Sequence, residues 1–282
     1  VKKKIAAGAA TLSKRLHPRL AKWFQGAFGD FTHAQLLCVP AILDRESILL
    51  TSPTGSGKTL AGFLGVFDYL LRKLDDQTLP ESVQCVYVSP LRALAYDIGK
   101  NLRAPIIGMG LEKKLRIHLR TGDTPAAERV KFRQRPTHFL ITTPESLAVM
   151  LAQESYAAHL GDCQFVIVDE LHSFAGNKRG ADLTLSLERL ERLCSRRPVG
   201  DAGSVPENRS ISRFPKGSGY RRGSEESICR VGLSATAAPL DLLAKFLVGE
   251  GRECRIAEAQ VEKKSLVEVF SPIRRKPYPP AG

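Results

Sequence analysis

The chain has 282 residues, 43% of them apolar, enough for the core of one large α/β domain or two small ones. Its 42 Lys and Arg outnumber 29 Asp and Glu for a net charge of +13, a field that attracts polyanions and predicts non-specific contact with nucleic acid, although a basic surface would also serve solubility alone. No apolar run reaches the roughly 18 residues of a membrane span, so no membrane partner is expected. The six cysteines (Cys38, Cys85, Cys163, Cys194, Cys229 and Cys254) form no C-x-x-C pair, which argues against a zinc site or a disulfide framework and for a cytoplasmic protein with reduced thiols.

Residues 1–22 carry Lys2, Lys3, Lys4, Lys14, Arg15, Arg19 and Lys22 and no acid, and read as a basic tail or solvated helix rather than a secretory signal. The main domain is expected over 23–270. An aromatic-rich stretch from Trp23 to Phe31 precedes Thr32-His-Ala-Gln35, which opens an apolar helix running to about Leu43. The next stretch, Ser47-Ile-Leu-Leu-Thr-Ser-Pro-Thr-Gly-Ser-Gly-Lys-Thr59, reads as strand, Gly-rich turn and helix. In the turn Thr54-Gly55-Ser56-Gly57 the glycines let successive N–H groups face one concavity, and the helix adds the positive end of its dipole. Such a cradle holds phosphates, with Lys58 reaching the outer ones and the Thr59 hydroxyl as one ligand of Mg²⁺. The site is therefore expected to take a nucleoside triphosphate. Ser52 stands where the strict phosphate-loop pattern has glycine.

A helix is predicted from Leu60 to Leu74, followed by β-like runs at Val83–Val88, Leu115–Leu119, Phe139–Thr142 and Phe165–Val168 with helical segments between them. That alternation predicts an α/β fold, a doubly wound and mainly parallel sheet between two helical layers, with ligands beyond the carboxyl ends of the strands. The fourth run ends in Asp169-Glu-Leu-His172. Asp169 is the candidate metal residue and Glu170 the candidate base that positions and deprotonates a water. An acid pair after a strand is commonly a helix cap, and its weight here comes from coexisting with Lys58. A leucine-periodic helix over about 180–194 leads into 195–226, rich in Gly, Ser, Pro and Arg, which reads as a flexible insertion. Order is expected to resume with a strand at Ile228–Leu233, then Ser234-Ala-Thr236, a helix opened by Pro239, and two further strands between Arg252 and Phe270. Residues 271–282 read as a Pro-rich linker.

The order of these motifs resembles a superfamily 2 helicase. Pro53-Thr-Gly-Ser-Gly-Lys-Thr59 is similar to motif I, Ser89-Pro-Leu-Arg-Ala-Leu94 to motif Ia and Thr143-Pro-Glu-Ser-Leu147 to motif Ib. Asp169-Glu-Leu-His172 is similar to motif II in its DExH form, and Ser234-Ala-Thr236 to motif III. Arg120-Thr-Gly-Asp-Thr124 and Gly176-Asn-Lys-Arg-Gly180 narrow the resemblance to the large helicase-related (Lhr) family of DNA helicases. It implies a RecA-like ATP-binding lobe in which Arg92, Thr121 and Thr143 line a groove for one nucleic-acid strand. His172, Ser234 and Thr236 would couple that groove to ATP, and Gln35 would read adenine within a Q motif where Phe31 replaces the usual proline. The implied partners are single-stranded or partly duplex DNA, with RNA possible. A second RecA-like lobe is also implied; its motifs find no place after Thr236, so 271–282 would lead towards it and this lobe alone would turn over little ATP. Two alternatives stay open at this stage: a non-catalytic nucleotide- or nucleic-acid-binding module, and an RNA helicase of the same superfamily.

Overall fold

The computed structural model describes residues 2–135, 137–195, 227–235 and 239–259. Its centre is a seven-stranded sheet, order β3-β4-β2-β5-β6-β1-β7, in which every neighbouring pair is parallel. The strands are β1 (Ile48–Thr51), β2 (Cys85–Val88), β3 (Ile117–Arg120), β4 (Phe139–Thr142), β5 (Phe165–Val168), β6 (Cys229–Ser234) and β7 (Arg255–Glu258). β1, β2, β4, β5 and β6 are buried at every residue because helices cover both faces of a parallel sheet, and all but β6, which carries Arg230, read as predominantly apolar runs. The edge strands β3 and β7 are more exposed.

One face is covered by α1 (Lys2–Arg15), α2 (Pro18–Phe28), α3 (His33–Leu43), α4 (Lys58–Asp75) and α5 (Arg92–Gly108), which share one apolar core with it. The other is covered by α6 (Ala126–Gln134), α7 (Pro144–Leu151), α8 (Glu154–Leu160), α9 (Lys178–Ser195) and α10 (Leu240–Val248). The expected doubly wound architecture is what forms. Among the described residues no helix is long and apolar enough to cross a membrane.

The amino-terminal segment departs from the expected solvated helix. Leu12, Leu16, Leu20 and Phe24, spaced four apart, form one buried stripe running from α1 into α2, so the boundary read after residue 22 falls inside α2. The basic side of this segment finds its acids elsewhere. Arg15 pairs with Asp44 at 2.7 Å, and His17 meets Asp75 at 2.8 Å while its backbone N–H donates to the buried Asp68. Of the expected insertion at 195–226 only Ser195 is described, closing α9, and of the strands expected over 252–270 only β7. The remainder, Thr236 and the 271–282 linker lie outside the described residues.

Candidate active site at the carboxyl edge of the sheet

Because every strand runs the same way, all the loops singled out in the sequence leave the same edge of the sheet. Strand order then sorts them. β1, β6 and β5 are consecutive and carry the Gly-rich turn, Ser234 and the acid pair; β2, β4 and β3 carry the loops of Arg92, Thr143 and Thr121.

The Gly-rich turn is built as its composition requires. Gly55 and Gly57 lie at φ of 77° and 81°, the left-handed region that side chains disfavour. Lys58 then starts the 18-residue helix α4, whose N-cap, Gly57, offers no side-chain acceptor, leaving first-turn N–H groups for an anion. Thr54 is exposed on the turn, Ser56 is buried and Thr59 half-buried. Ser52, in the glycine's place, is buried with its Oγ against Ser56 Oγ, so a hydroxyl contact braces the loop from within.

Gln35 belongs to a capping box. Its backbone N–H donates to Thr32 Oγ1 at 3.3 Å, and its Oε1 accepts from the Thr32 N–H at 2.9 Å. The remaining amide nitrogen faces the phosphate loop, 3.0 Å from where a Cβ on Gly57 would sit. Phe31, in place of the usual proline, stacks on Phe24 with ring centroids 4.2 Å apart, and thereby fastens this corner to α2.

At the tip of β5 both oxygens of Asp169 are held. Oδ2 accepts from the Tyr87 hydroxyl, and Oδ1 accepts from the Glu170 N–H at 2.9 Å. Burial pushes the Asp169 carboxyl above its ordinary range, the Tyr87 hydrogen bond opposes that shift, and the neighbouring Glu170 charge adds to it. Glu170 itself adopts φ 46° and ψ 45°, a left-handed conformation costly for a residue with a side chain. It aims the carboxylate back at the phosphate loop: Glu170 Oε1 lies 2.9 Å from Lys58 Nζ, and the side chains are 25% and 7% exposed. The buried ammonium has no other partner among the described residues, so donors remain for a further acceptor. His172 follows on a 3₁₀ turn (Leu171–Ser173), its Nδ1 3.5 Å from Glu170 Oε2 and 3.0 Å from Ser234 Oγ at the end of β6.

Thr59 and Asp169 would offer a cation a hydroxyl and a carboxylate, both hard oxygen donors, and among the described residues no group of three or more His, Cys, Asp and Glu could hold a metal by itself. An ion that keeps most of its waters, as Mg²⁺ does, fits such a set better than a thiophilic one.

Across the sheet, Arg92 opens α5 and pairs with Asp123 at 2.5 Å, both side chains 58% exposed. Asp123 belongs to the turn after β3, in which the Thr121 N–H donates to Thr124 Oγ1 at 2.8 Å and the Thr121 hydroxyl is buried without a partner. Arg129 donates to the carbonyls of Thr124 and Gly122 and holds that turn closed. Thr143 caps α7 and donates from its hydroxyl to Ser146 at 3.3 Å. Arg179 ties the two neighbouring loops together, donating to the Pro90 carbonyl at 2.8 Å and pairing with Glu145 at 2.6 Å. Three of these participants, Tyr87, Asp123 and Arg179, have no assigned role in the sequence reading. Tyr87 left a trace there, a hydroxyl within an otherwise apolar strand; the other two lie inside the runs 120–124 and 176–180 that narrow the family resemblance, but their partners are distant in sequence.

The DEAD/DEAH box helicase family profile matches residues 32–242, which span the phosphate loop, the acid pair and the groove loops. ATP-dependent helicase Lhr-Core of Methanothermobacter thermautotrophicus is 39% identical over 269 residues, covering 92% of this chain and 28% of the relative. Lhr helicase/uracil glycosylase of Escherichia coli is 39% identical over 211 residues, covering 70% of this chain and 14% of the relative. Among solved structures, Mycobacterium smegmatis helicase Lhr bound to ssDNA and AMP-PNP superposes with a TM-score of 0.69 at 35% identity, over 86% of this chain and 28% of that one. The chain thus spans little more than a quarter of the Lhr-Core relative it matches. With a parallel RecA-like sheet, a phosphate loop facing an Asp-Glu pair, and a profile match over most of its length, the chain belongs to the DEAD/DEAH box helicase family.

Proposed function

We propose that this chain is the ATP-binding lobe of an Lhr-like, ATP-dependent DNA helicase of the cytoplasm, coupling ATP hydrolysis to movement along single-stranded nucleic acid. The observation that carries the proposal is the contact of Lys58 with Glu170, residues far apart in sequence whose side chains meet beside the phosphate loop. In the reading it supports, Thr54, Gly55, Ser56 and Gly57 cradle the phosphates, Lys58 takes an outer phosphate oxygen, and Gln35 faces the adenine. Thr59 and Asp169 would hold Mg²⁺, which when bound supplies charge neutralisation on the phosphate oxygens.

Lys58 and Glu170 neutralise each other in the structure. Arrival of a triphosphate offers Lys58 a more highly charged partner and frees the Glu170 carboxylate to orient a water and accept its proton. His172 then reports on the state of Glu170 through Ser234, with Thr236 proposed to extend that link towards the groove of Arg92, Thr121 and Thr143. The exposed Arg92 guanidinium and loop N–H groups suit phosphates rather than bases, as movement along any sequence requires, while Thr121 and Thr143 are buried and would shape the loops that present them. The second lobe would bring the arginine that stabilises the transferring phosphoryl group, an effect of about 10³ to 10⁵ in rate in related nucleotide hydrolases, so this lobe alone is expected to bind ATP with little turnover.

The test is binding of a fluorescent ATP analogue to this chain and to Lys58→Ala, together with DNA-stimulated ATPase of the longer protein carrying the same change. Loss of both in the variant is expected. Retention of nucleotide affinity in Lys58→Ala would refute the site, and ATPase indifferent to DNA would refute the coupling.

A further inference from the structure

Tyr87 carries a hydroxyl into the interior of the sheet, on a strand otherwise apolar from Cys85 to Val88. Its neighbours on β2, Val86 and Val88, are buried against the opposite core, while Tyr87 points to the α4 side with its ring stacked on Phe63, centroids 5.2 Å apart. It is 1% exposed. A buried phenol is tolerated only where its O–H finds a partner, and the partner here is Asp169 Oδ2, on the strand next to β2 in the sheet. The other oxygen is already occupied by the Glu170 N–H. The carboxylate is thus pinned at both ends, one donor from the backbone turn that also aims Glu170 and one from a side chain that no part of the phosphate loop or acid motif supplies.

We propose that Tyr87 is a positioning residue for the metal of this site: its hydroxyl fixes the plane of the Asp169 carboxylate so that the remaining lone pairs face the phosphate loop. The inference rests on the reading of Asp169 as the metal-side acid and adds a residue to it. The physical ground is that a carboxylate free to rotate must be ordered when the metal arrives, whereas one already hydrogen-bonded is oriented beforehand. Outer partners of this kind typically contribute ten- to a hundredfold to metal affinity. A packing role alone would need the ring and not the oxygen.

The experiment uses Mn²⁺ as the probe, its affinity measured by electron paramagnetic resonance on this chain saturated with a non-hydrolysable ATP analogue. Tyr87→Phe keeps the ring and removes the donor. It is expected to weaken Mn²⁺ binding about tenfold, leave metal-free nucleotide affinity within about twofold, and have no further effect in an Asp169→Asn background. Phe63→Leu removes the ring beneath Tyr87 and keeps the hydroxyl. It is expected to lower the melting midpoint while holding Mn²⁺ affinity within about twofold of the parent. Unchanged Mn²⁺ affinity in Tyr87→Phe, an equal loss in Phe63→Leu, or a full Tyr87→Phe effect without the Asp169 carboxylate would each overturn the proposal. Lys58→Ala, measured alongside, separates the two levels: if it binds nucleotide like the parent, the nucleotide site itself is wrong, whatever Tyr87 does.

Discussion

Acid should loosen this lobe at the β3–β4 edge of its sheet, through two histidines that fold neutral. His138 precedes β4 with its Nε2 buried and without a partner, and its Nδ1 accepts from the Arg116 N–H at 3.2 Å. His118, on β3, is stacked on Phe132 with centroids 4.6 Å apart, and its Nε2 is likewise buried without a partner. Burial lowers both from the ordinary 6.5 to about 4, aided at His138 by the Arg116 charge; at His118 Glu128 opposes the shift and Arg120 adds to it. Unfolded rings take up protons through pH 6.5 and folded ones only near pH 4, so between those values the unfolded state binds more protons and stability falls as pH falls. Each ring can remove up to about 1.4 kcal/mol per pH unit, so the pair would remove up to about 5 kcal/mol between pH 6.5 and 4.5. Solvent screening of the partly exposed His118 ring brings the expected loss to about 3 kcal/mol, a large share of the stability of an ordinary domain.

Urea denaturation across pH 7.5 to 4.5, in the parent and in a His118→Gln, His138→Gln double variant, measures this loss. That window precedes the loss from Glu188, which hydrogen bonds to Arg252 and Arg230 hold down to about 2, so its stabilisation is present above 4.5 and fades only as pH drops towards 2. The double variant should flatten the profile above pH 4.5, and in the parent amide exchange in β3, which among the described residues pairs with β4 alone, should rise first. An identical slope in parent and double variant would refute the assignment to these rings.

Other perturbations are as direct. A Cβ at Gly180 would overlap the Phe174 carbonyl oxygen, so Gly180→Ala should cost about 3 kcal/mol by thermal denaturation; an unshifted midpoint would show that the start of α9 can move aside. Arg230 is buried on β6 between Glu188 at 2.8 Å and Glu191 at 2.9 Å. Glu191→Leu leaves Glu188 as the remaining carboxylate on Arg230 and should destabilise by about 1.5–3 kcal/mol, the range of a hydrogen bond to a charged group, and adding Arg230→Met should recover part of it; chemical denaturation showing no recovery would mean that lost packing, not the weakened charge pairing, dominates. Asp123 occupies Arg92 where a nucleic-acid phosphate is expected, so Asp123→Asn should tighten single-stranded DNA binding several-fold at low salt and less at high salt, by fluorescence anisotropy. Weaker binding would mean that Asp123 orients Arg92 rather than competing for it.

Several elements could be read from the chain because their causes are local. A strand buried on both faces is an unbroken apolar run, and β1, β2, β4 and β5 are such runs; a left-handed turn needs glycine, and Gly55 and Gly57 stand at the two positions of the phosphate loop that adopt it. The Thr32–Gln35 capping box lies within four consecutive residues. Pairings between distant segments were not legible. The acid-free stretch 1–22 looked solvated because the carboxylates that receive it, Asp44, Asp68 and Asp75, belong to α3's C-cap and to α4. Tyr87 looked like one more strand residue because its acceptor lies on β5, and Arg92 looked like an open cation because Asp123 is on another loop.

The amino-acid sequence by itself determined which chemical groups this lobe can offer, since residue type and local turn geometry are properties of contiguous segments. Which groups meet was decided by the order β3-β4-β2-β5-β6-β1-β7, an outcome of how helices and strands pack together that no single segment encodes. That order places β6 between β1 and β5, so Lys58 reaches Glu170 across the end of one intervening strand while His172 takes Ser234 from that strand's tip. Had β5 been placed at the sheet's edge, the same residues would have been present with no common hollow for a phosphate.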